Sequence, residues 1–149
     1  LKIQKYRFGE RLNYTFKTDE TLNEIRIPSF ILQPILENSI IYGVSDTFDN
    51  CELDVSIYED SVNIYIRISN TGKTISPERL TEINELLFGQ RELSAFKGNH
   101  NGFALYNIKE RLRIFYHGHT SIHMELDEHF TRTLIIIERS SANVSDSDC

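Results

Sequence analysis

The stretch LQPILENSIIYGV, residues 32–44, places a carboxylate and an amide inside a segment that is otherwise largely apolar. On a helical wheel, one face of this segment suits packing against a sheet and consists of Leu32, Ile35, Leu36, Ser39, Ile40 and Gly43. Glu37 and Asn38 lie together on the side away from that face, with Tyr42 one turn beyond Asn38. Taken alone, this pattern is typical of a solvated polar edge on an amphipathic helix, so any further role must come from other parts of the chain.

Length and composition restrict the classes of protein to consider. The chain has 149 residues, the size of one domain, is 40% hydrophobic and carries a formal net charge of −6. This acidity argues against a nucleic-acid partner, which requires a basic face, and the basic run at 109–113 (KERLR) is typical of a solvated helix face. Cys51 and Cys149 indicate no disulfide framework or metal site. No apolar run approaches the roughly 20 residues that a membrane span requires.

The periodicity of apolar residues outlines the fold. Alternating, β-rich segments predict strands over 12–19, 51–58, 61–69, 120–127 and 131–138. Helical periodicity and capping residues predict helices over 28–44, 77–87 and 103–116. We expect an α+β fold, a two-layer sandwich in which helices pack on one face of a mixed β-sheet.

Two glycine-containing segments add to the polar pair. ISNTG (68–72) ends a strand in a polar turn, and GNHNGFAL (98–105) places two glycines before a helix start. Glycine lets backbone N–H groups approach a ligand closely, and a helix N-terminus attracts phosphate. The loop predicted over 89–102 is long enough that a functional role is more common than none. Each signal is weak alone, but all three in this order are far less common.

These segments identify a family resemblance that covers nearly the whole chain. With IPSFILQPILENSIIYGV, ISNTGKTI and GFALYNIKERLRIFYHG, the chain resembles the ATP-binding catalytic domain (GHKL type, Bergerat fold) of sensor histidine kinases. The LQP…EN segment and the motif N-x-x-x-R-L, formed by Asn107, Arg111 and Leu112, are specific to the subgroup typified by LytS and YesM. The resemblance implies two cofactors, ATP and Mg²⁺.

The resemblance also implies roles for individual residues. Asn38 matches the asparagine that holds Mg²⁺ against the triphosphate. Glu37 matches the neighbouring catalytic residue, a carboxylate that acts as a general base or orients water near the γ-phosphate. Asn70 lies where the family has an aspartate that reads the adenine amino group, and Gly72 lets the backbone pass close to the base. The remaining nucleotide-binding positions are Tyr42, Gly98, Gly102, Ala104, Leu105 and Thr133.

Five positions depart from the family pattern. They are Asn70 for aspartate, Thr74 for glycine, Ala104 for the second lid glycine, Ile41 for a frequent lysine or arginine, and Arg132 for the glycine before Thr133. A neutral hydrogen bond is weaker than a charged one by about 1 kcal/mol, so Asn70 weakens adenine recognition rather than abolishing it. The departures leave open a degenerate, kinase-like domain that acts as a regulatory protein-interaction module. An ATPase of the gyrase or chaperone type fits less well, because the LQP and N-x-x-x-R-L signatures belong to the kinase subgroup.

The resemblance implies a protein-histidine kinase whose phosphoacceptor lies elsewhere. Residues 1–10 would end a linker or helix from a missing dimerisation domain, 11–139 would form the catalytic domain, and 140–149 a polar, disordered tail. The partners would be that upstream phosphoacceptor domain and a response regulator. The full-length protein would be a homodimer anchored in the bacterial plasma membrane, with this domain cytoplasmic.

None of the five histidines has the Pro-His-Phe context of a phosphoacceptor in this family. His129 is followed by phenylalanine, but it falls in a predicted hairpin turn. His117 and His119 have no third ligand nearby that would indicate a metal site, and His100 is expected to be an exposed loop residue.

Overall fold

The computed structural model describes residues 1–22, 25–44, 51–72, 75–96 and 100–142. Across these residues the helices are α1 (Lys2–Phe8), α2 (Leu32–Val44), α3 (Pro77–Leu87) and α4 (His100–Phe115). The strands are β1 (Leu12–Thr18), β2 (Cys51–Glu59), β3 (Asn63–Asn70), β4 (Thr120–Leu126) and β5 (Thr131–Glu138).

The strands form one five-stranded mixed sheet in the order β1-β2-β3-β5-β4. β1 pairs with β2 in parallel, with α2 in the crossover between them, and the other neighbours are antiparallel. Alternate strand residues are buried, as in Leu53 and Val55 of β2 and Ile64, Ile66 and Ile68 of β3. Because α2, α3 and α4 contact the sheet and one another, the core lies between two layers. This confirms the predicted α+β sandwich.

The helix starts show where tertiary structure overrode the sequence pattern. α2 begins at Leu32 rather than at residue 28, since residue Phe30 has φ 62, which no right-handed helix accommodates. α4 begins at His100, so it includes Gly102, which the sequence pattern had placed in the loop. α3 matches the prediction, because the Ser76 hydroxyl accepts from the backbone N–H of Arg79 ahead of a proline in the first turn.

At one outer edge of the sheet, a side chain forms hydrogen bonds with the backbone of one residue of β4. On β4, the backbone N–H of Met124 donates to Oδ1 of Asn84 at 2.8 Å. The Nδ2 of Asn84 donates back to the carbonyl of Met124 at 2.9 Å. The amide therefore acts as a one-residue strand partner that satisfies the backbone of Met124, one position on an edge strand whose unpaired groups could otherwise pair with another chain.

Both ends of the described chain contact the domain. The ammonium of Lys5 in α1 donates to the carbonyl of Leu12 at 2.6 Å. After β5, residues Arg139–Ser141 form a 3₁₀ turn, and Ala142 is 3% exposed. The division into residues 1–10, 11–139 and 140–149 stays a prediction, and 143–149 lie outside the described residues.

We expect Asn84→Ala to lower the free energy of unfolding by about 1–3 kcal/mol, because it removes two hydrogen bonds to the β4 backbone. Urea denaturation followed by circular dichroism measures this. Glu82→Ala on the same helix removes only a surface ion pair with Arg79 and should cost about 0–1 kcal/mol. Equal losses of unfolding free energy in the two variants would contradict the role of Asn84 as a hydrogen-bond partner of β4.

Candidate functional site

Helix α2 carries the polar pair on its outer side, as predicted. Ile35, Ser39 and Ile40 are buried against the core, whereas Glu37 and Asn38 are half-buried. The Nε2 of Gln33, one turn earlier, donates to Oε1 of Glu37 at 2.8 Å. This hydrogen bond fixes the orientation of the Glu37 carboxylate in the absence of a ligand. Tyr42 lies in the same helix, but the structure does not describe its side chain.

The end of β3 meets the end of α2 at two glycines. Gly72 follows β3 with φ +114, and a Cβ there would lie 2.5 Å from Cα and 2.7 Å from the carbonyl oxygen of Gly43. A Cβ on Gly43 would in turn overlap Sγ of Cys51 and lie 2.9 Å from the carbonyl of Thr71. Neither position has room for a side chain. This backbone contact holds the turn after β3 directly against the helix that carries Glu37 and Asn38.

Two buried polar side chains lie on the helix-facing side of the sheet near this contact. Asn70 ends β3 and Thr133 lies on β5, and each is 6% exposed. Asn70 is opposite Thr131 and Ile68 is opposite Thr133, so Asn70 and Thr133 are diagonal neighbours on one face, typically about 7–8 Å apart. Polar groups placed among aliphatic side chains in this way are typical of a ligand site.

The amide of Asn70 has a defined orientation. Its Nδ2 donates to the carbonyl of Thr71 at 3.1 Å. A carbonyl only accepts, so the NH₂ group must face Thr71 and Oδ1 must point elsewhere. Asn70 therefore presents an acceptor, as the family's aspartate does, although without its charge.

The thiol of Cys51 packs against Gly43 and the carbonyl of Thr71. It is not expected to be reactive. The side chain is fully buried, and its Sγ lies 3.8 Å from the carbonyl of Thr71. Burial raises the pKa of the Cys51 thiol to about 11, which keeps it protonated at neutral pH. A protonated, buried thiol is a packing group rather than a nucleophile.

The start of α4 is packed against an aromatic side chain. A Cβ on Gly102 would overlap the ring of Phe96, which is 4% exposed. The guanidinium of Arg79 lies 4.2 Å from the centroid of that ring, and Phe103 meets it edge-on at 5.7 Å. In the same helix, Leu105 is 4% exposed. Residue Ala104 is half-buried, and Gly98 falls in 97–99, outside the described residues.

Apart from Asn70, the described departures from the family pattern lie away from the Gly43–Gly72 contact or within helix α4. Arg132 points to the sheet face opposite Thr133, where it forms an ion pair with Asp127. Ile41 lies on the outer side of α2, 52% exposed. Ala104 fits within helix α4, and Thr74 lies outside the described residues. Asn70 and Ile41 each stand where the family has a charged residue, whereas Arg132 adds a charge on the other face of the sheet.

Three residues that shape the site were absent from the sequence-based prediction of it, namely Gly43, Cys51 and Thr71. Gly43 could have been found, because glycine inside a helix costs roughly 0.5–1 kcal/mol and indicates a close approach by another chain segment. The roles of Cys51 and Thr71 depend on contacts between β2 and the turn after β3, which leave no local pattern.

A second concavity lies at the other end of α4. It has a volume of about 470 Å³ and is lined by Lys109, Arg113, Ile114, His117, Gly118 and Thr120. The positive side chains of Lys109 and Arg113 are not evidence for a bound anion, because such side chains near a helix C-terminus are stabilised by the helix dipole. Within the described residues, no group of three or more His, Cys, Asp or Glu could hold a metal ion. No described helix is both long and apolar enough to cross a membrane.

Comparison with known proteins settles the family. A model of the histidine kinase-, DNA gyrase B- and HSP90-like ATPase family matches residues 23–140. The chain belongs to this family. It is 26% identical over 129 residues to the sensor protein LytS of Bacillus subtilis (strain 168). That match covers 87% of this chain and 21% of LytS, so the domain spans about a fifth of its relative.

Solved structures agree on the fold. The nucleotide-free catalytic domain of histidine kinase ThkA has a TM-score of 0.59 at 17% identity, covering 93% of this chain and 85% of that one. ThkA in complex with the response regulator TrrA gives 0.59 at 15% identity, covering 96% and 38%. The predicted kinship with histidine kinase catalytic domains is thereby confirmed, whereas the roles of individual site residues stay predictions.

We expect Gly72→Ala to lower the free energy of unfolding by about 3 kcal/mol or more. The left-handed backbone disfavours alanine, and the new methyl group would meet the backbone of Gly43. Urea denaturation of the purified domain measures the loss.

Gly89→Ala is the matched control, because Gly89 also has a positive φ of +74 but a Cβ there would meet nothing within 4 Å. Its cost should be only the backbone strain, about 1–2 kcal/mol. A smaller loss at Gly72 than at Gly89 would show that the contact between the two glycines is not tight.

Proposed function

We propose that this domain binds Mg-ATP and transfers its γ-phosphate to a histidine on an upstream domain of a longer two-component sensor kinase. The observation that carries the proposal is the contact between Gly43 and Gly72. It brings the helix that bears Glu37 and Asn38 against the strand end that bears Asn70. These are the two halves that a nucleotide must bridge from base to phosphates.

The adenine end would lie at Asn70. Its Oδ1, turned away from Thr71, would accept from the exocyclic amino group of the base. Thr133 would offer a hydroxyl from the neighbouring strand, and the absence of a side chain at Gly72 would let the ring approach the backbone. Every group here is neutral, so we expect weaker affinity than a carboxylate would give.

The phosphate end would lie between α2 and the start of α4. Mg²⁺ bound with the triphosphate would neutralise charge on the transferred group. The residues fit this ion, because magnesium takes few protein ligands and Asn38 offers one amide oxygen from a half-buried position. Glu37, oriented by Gln33, would accept the proton of the attacking group or orient water. The N–H groups of the first turn of α4, around Gly102, would face phosphate oxygens.

The partners follow from the same proposal. The phosphate would pass from the upstream histidine to an aspartate on a response regulator, and a complex of that kind exists for ThkA. The upstream domain would also make the full-length protein a homodimer. The domain would lie in the cytoplasm, with the longer protein anchored in the plasma membrane. No nucleic acid is expected as a partner, given the net charge of −6.

Isothermal calorimetry with ATP, in the presence and absence of Mg²⁺, tests nucleotide binding. We expect weak binding that Mg²⁺ strengthens. Asn38→Ala should weaken Mg-ATP by about 10–100-fold, because an interaction with a charged partner is worth about 1.5–3 kcal/mol. The same variant should leave binding of adenosine, which carries no phosphates, unchanged.

Asn63→Ala is the control, since Asn63 lies at the opposite end of β3 from Asn70. It should bind Mg-ATP like the unaltered domain. No heat at millimolar nucleotide would refute the proposal and favour the degenerate, protein-interaction module.

We expect no autophosphorylation of this chain by itself, because none of its five histidines has the acceptor context. Incubation with radiolabelled ATP, followed by a test for acid-labile phosphate, measures this. Stable phosphohistidine at His129, or at any other histidine of the chain, would contradict the expectation and place the acceptor within this domain.

A further inference from the structure

The second half of α4 and Tyr116, the residue directly after it, are hydrogen-bonded to the segment that leads into α2. The Nη2 of Arg111 donates to the carbonyl of Ser29 at 2.8 Å. The hydroxyl of Tyr116 donates to the carbonyl of Arg26 at 2.7 Å. Tyr116 is fully buried, and burial raises the pKa of its phenol to about 12, so it remains a donor throughout the physiological range. Two carbonyls of one short segment are thus held by Arg111 in α4 and by the residue that follows the helix.

The segment between these bonds and α2 has an unusual backbone. Phe30 has a left-handed φ of 62, although it is not glycine, and its ring is 72% exposed. An exposed ring gains little from packing, so the side chain does not account for this conformation. The conformation persists because its neighbours determine it: Arg111 holds the carbonyl of Ser29 on one side, and Ile31, 1% exposed, is buried on the other.

This arrangement determines where α2 begins. The left-handed residue turns the chain immediately before Leu32, the first residue of α2, and Glu37 and Asn38 follow in the next turns. Helix α4, which contains Arg111 and is followed directly by Tyr116, carries Gly102 in its own first turn. Because a helix is rigid along its axis, the start of α4 and the start of α2 are connected through Arg111 and Tyr116.

We propose that Arg111 and Tyr116 are positioning residues that hold Glu37 and Asn38 at the correct distance from the N-terminal turn of α4, across the phosphate site. The inference rests on the proposed function and gives a task to the arginine of the N-x-x-x-R-L motif. Neither side chain touches nucleotide. Each acts through the backbone ahead of α2.

The alternative is that these bonds only stabilise the fold. The two roles make different predictions, because adenine and phosphates would occupy different parts of the site. A loss of general stability would weaken all ligands alike or none. A shift of α2 would weaken ligands that carry phosphates and metal, while binding at Asn70 and Gly72 would be kept.

Calorimetric titrations with Mg-ATP and with adenosine distinguish these roles. Arg111→Ala should weaken Mg-ATP by about tenfold, a size typical of residues that orient a ligand-binding group, and leave adenosine affinity unchanged. Arg111→Lys keeps a cationic donor for the carbonyl of Ser29 and should recover part of the loss. Tyr116→Phe removes only the hydroxyl and should shift the same ratio in the same direction. Arg113→Ala is the matched control, because that side chain is 56% exposed and its ion pair among the described residues is with Glu110.

The outcomes separate the inference from the function on which it rests. If the unaltered domain binds neither ligand, the proposed function fails. If it binds both, and Arg111→Ala and Tyr116→Phe give the same affinity ratio as Arg113→Ala, the positioning role is refuted. If Arg111→Ala does not fold, Arg111→Lys and Tyr116→Phe still decide, since each makes a smaller change at the same two carbonyls.

Discussion

The site depends on the meeting of two backbones at Gly43 and Gly72, where no side chain fits between the end of α2 and the turn after β3. At this contact distance neither segment can move toward the other unless the other is displaced as well. Cys51 closes the contact from β2, so three elements converge on one point. Packing of this kind, rather than any ion pair, determines how far the Asn70 strand end lies from the Glu37–Asn38 helix.

On the sheet, the polar groups near this contact are the amide of Asn70 and the hydroxyl of Thr133, and α2 adds the amide of Asn38 and the carboxylate of Glu37. Asn70 is turned by the Thr71 carbonyl, and Asn38 occupies the outer side of a helix whose Glu37 is held by Gln33. An amide does not titrate, so the proposed recognition of adenine by Asn70 would be independent of pH, whereas recognition by an aspartate would weaken in acid. A neutral acceptor also requires less desolvation when a ligand covers it, which partly offsets its weaker hydrogen bond.

Local patterns predicted the elements well, because alternation, caps and turn residues act over a few positions. Ser76 and Pro77 marked the start of α3, and the buried face of α2 was read from residues such as Ile35 and Ile40. The starts of α2 and α4 were misplaced. Arg111 reaches Ser29 from far along the chain, just ahead of α2, and Gly102 packs beneath Phe96 in the first turn of α4. The Gly43–Gly72 contact joins segments that are far apart in sequence, so no window of residues could show it.

The parallel pairing of β1 with β2 has a consequence for the order of folding. In the described sheet this is the one parallel pair, and its register, from Leu12 opposite Cys51, joins strands that are separated along the chain by α2. The antiparallel hairpins β2–β3 and β4–β5 involve shorter loops and should form earlier, because loop closure costs more entropy for longer connections. The proposed nucleotide site, which needs α2 docked beside β2, would then be the last part of the domain to assemble. A ligand that binds only the finished site would stabilise this late closure selectively.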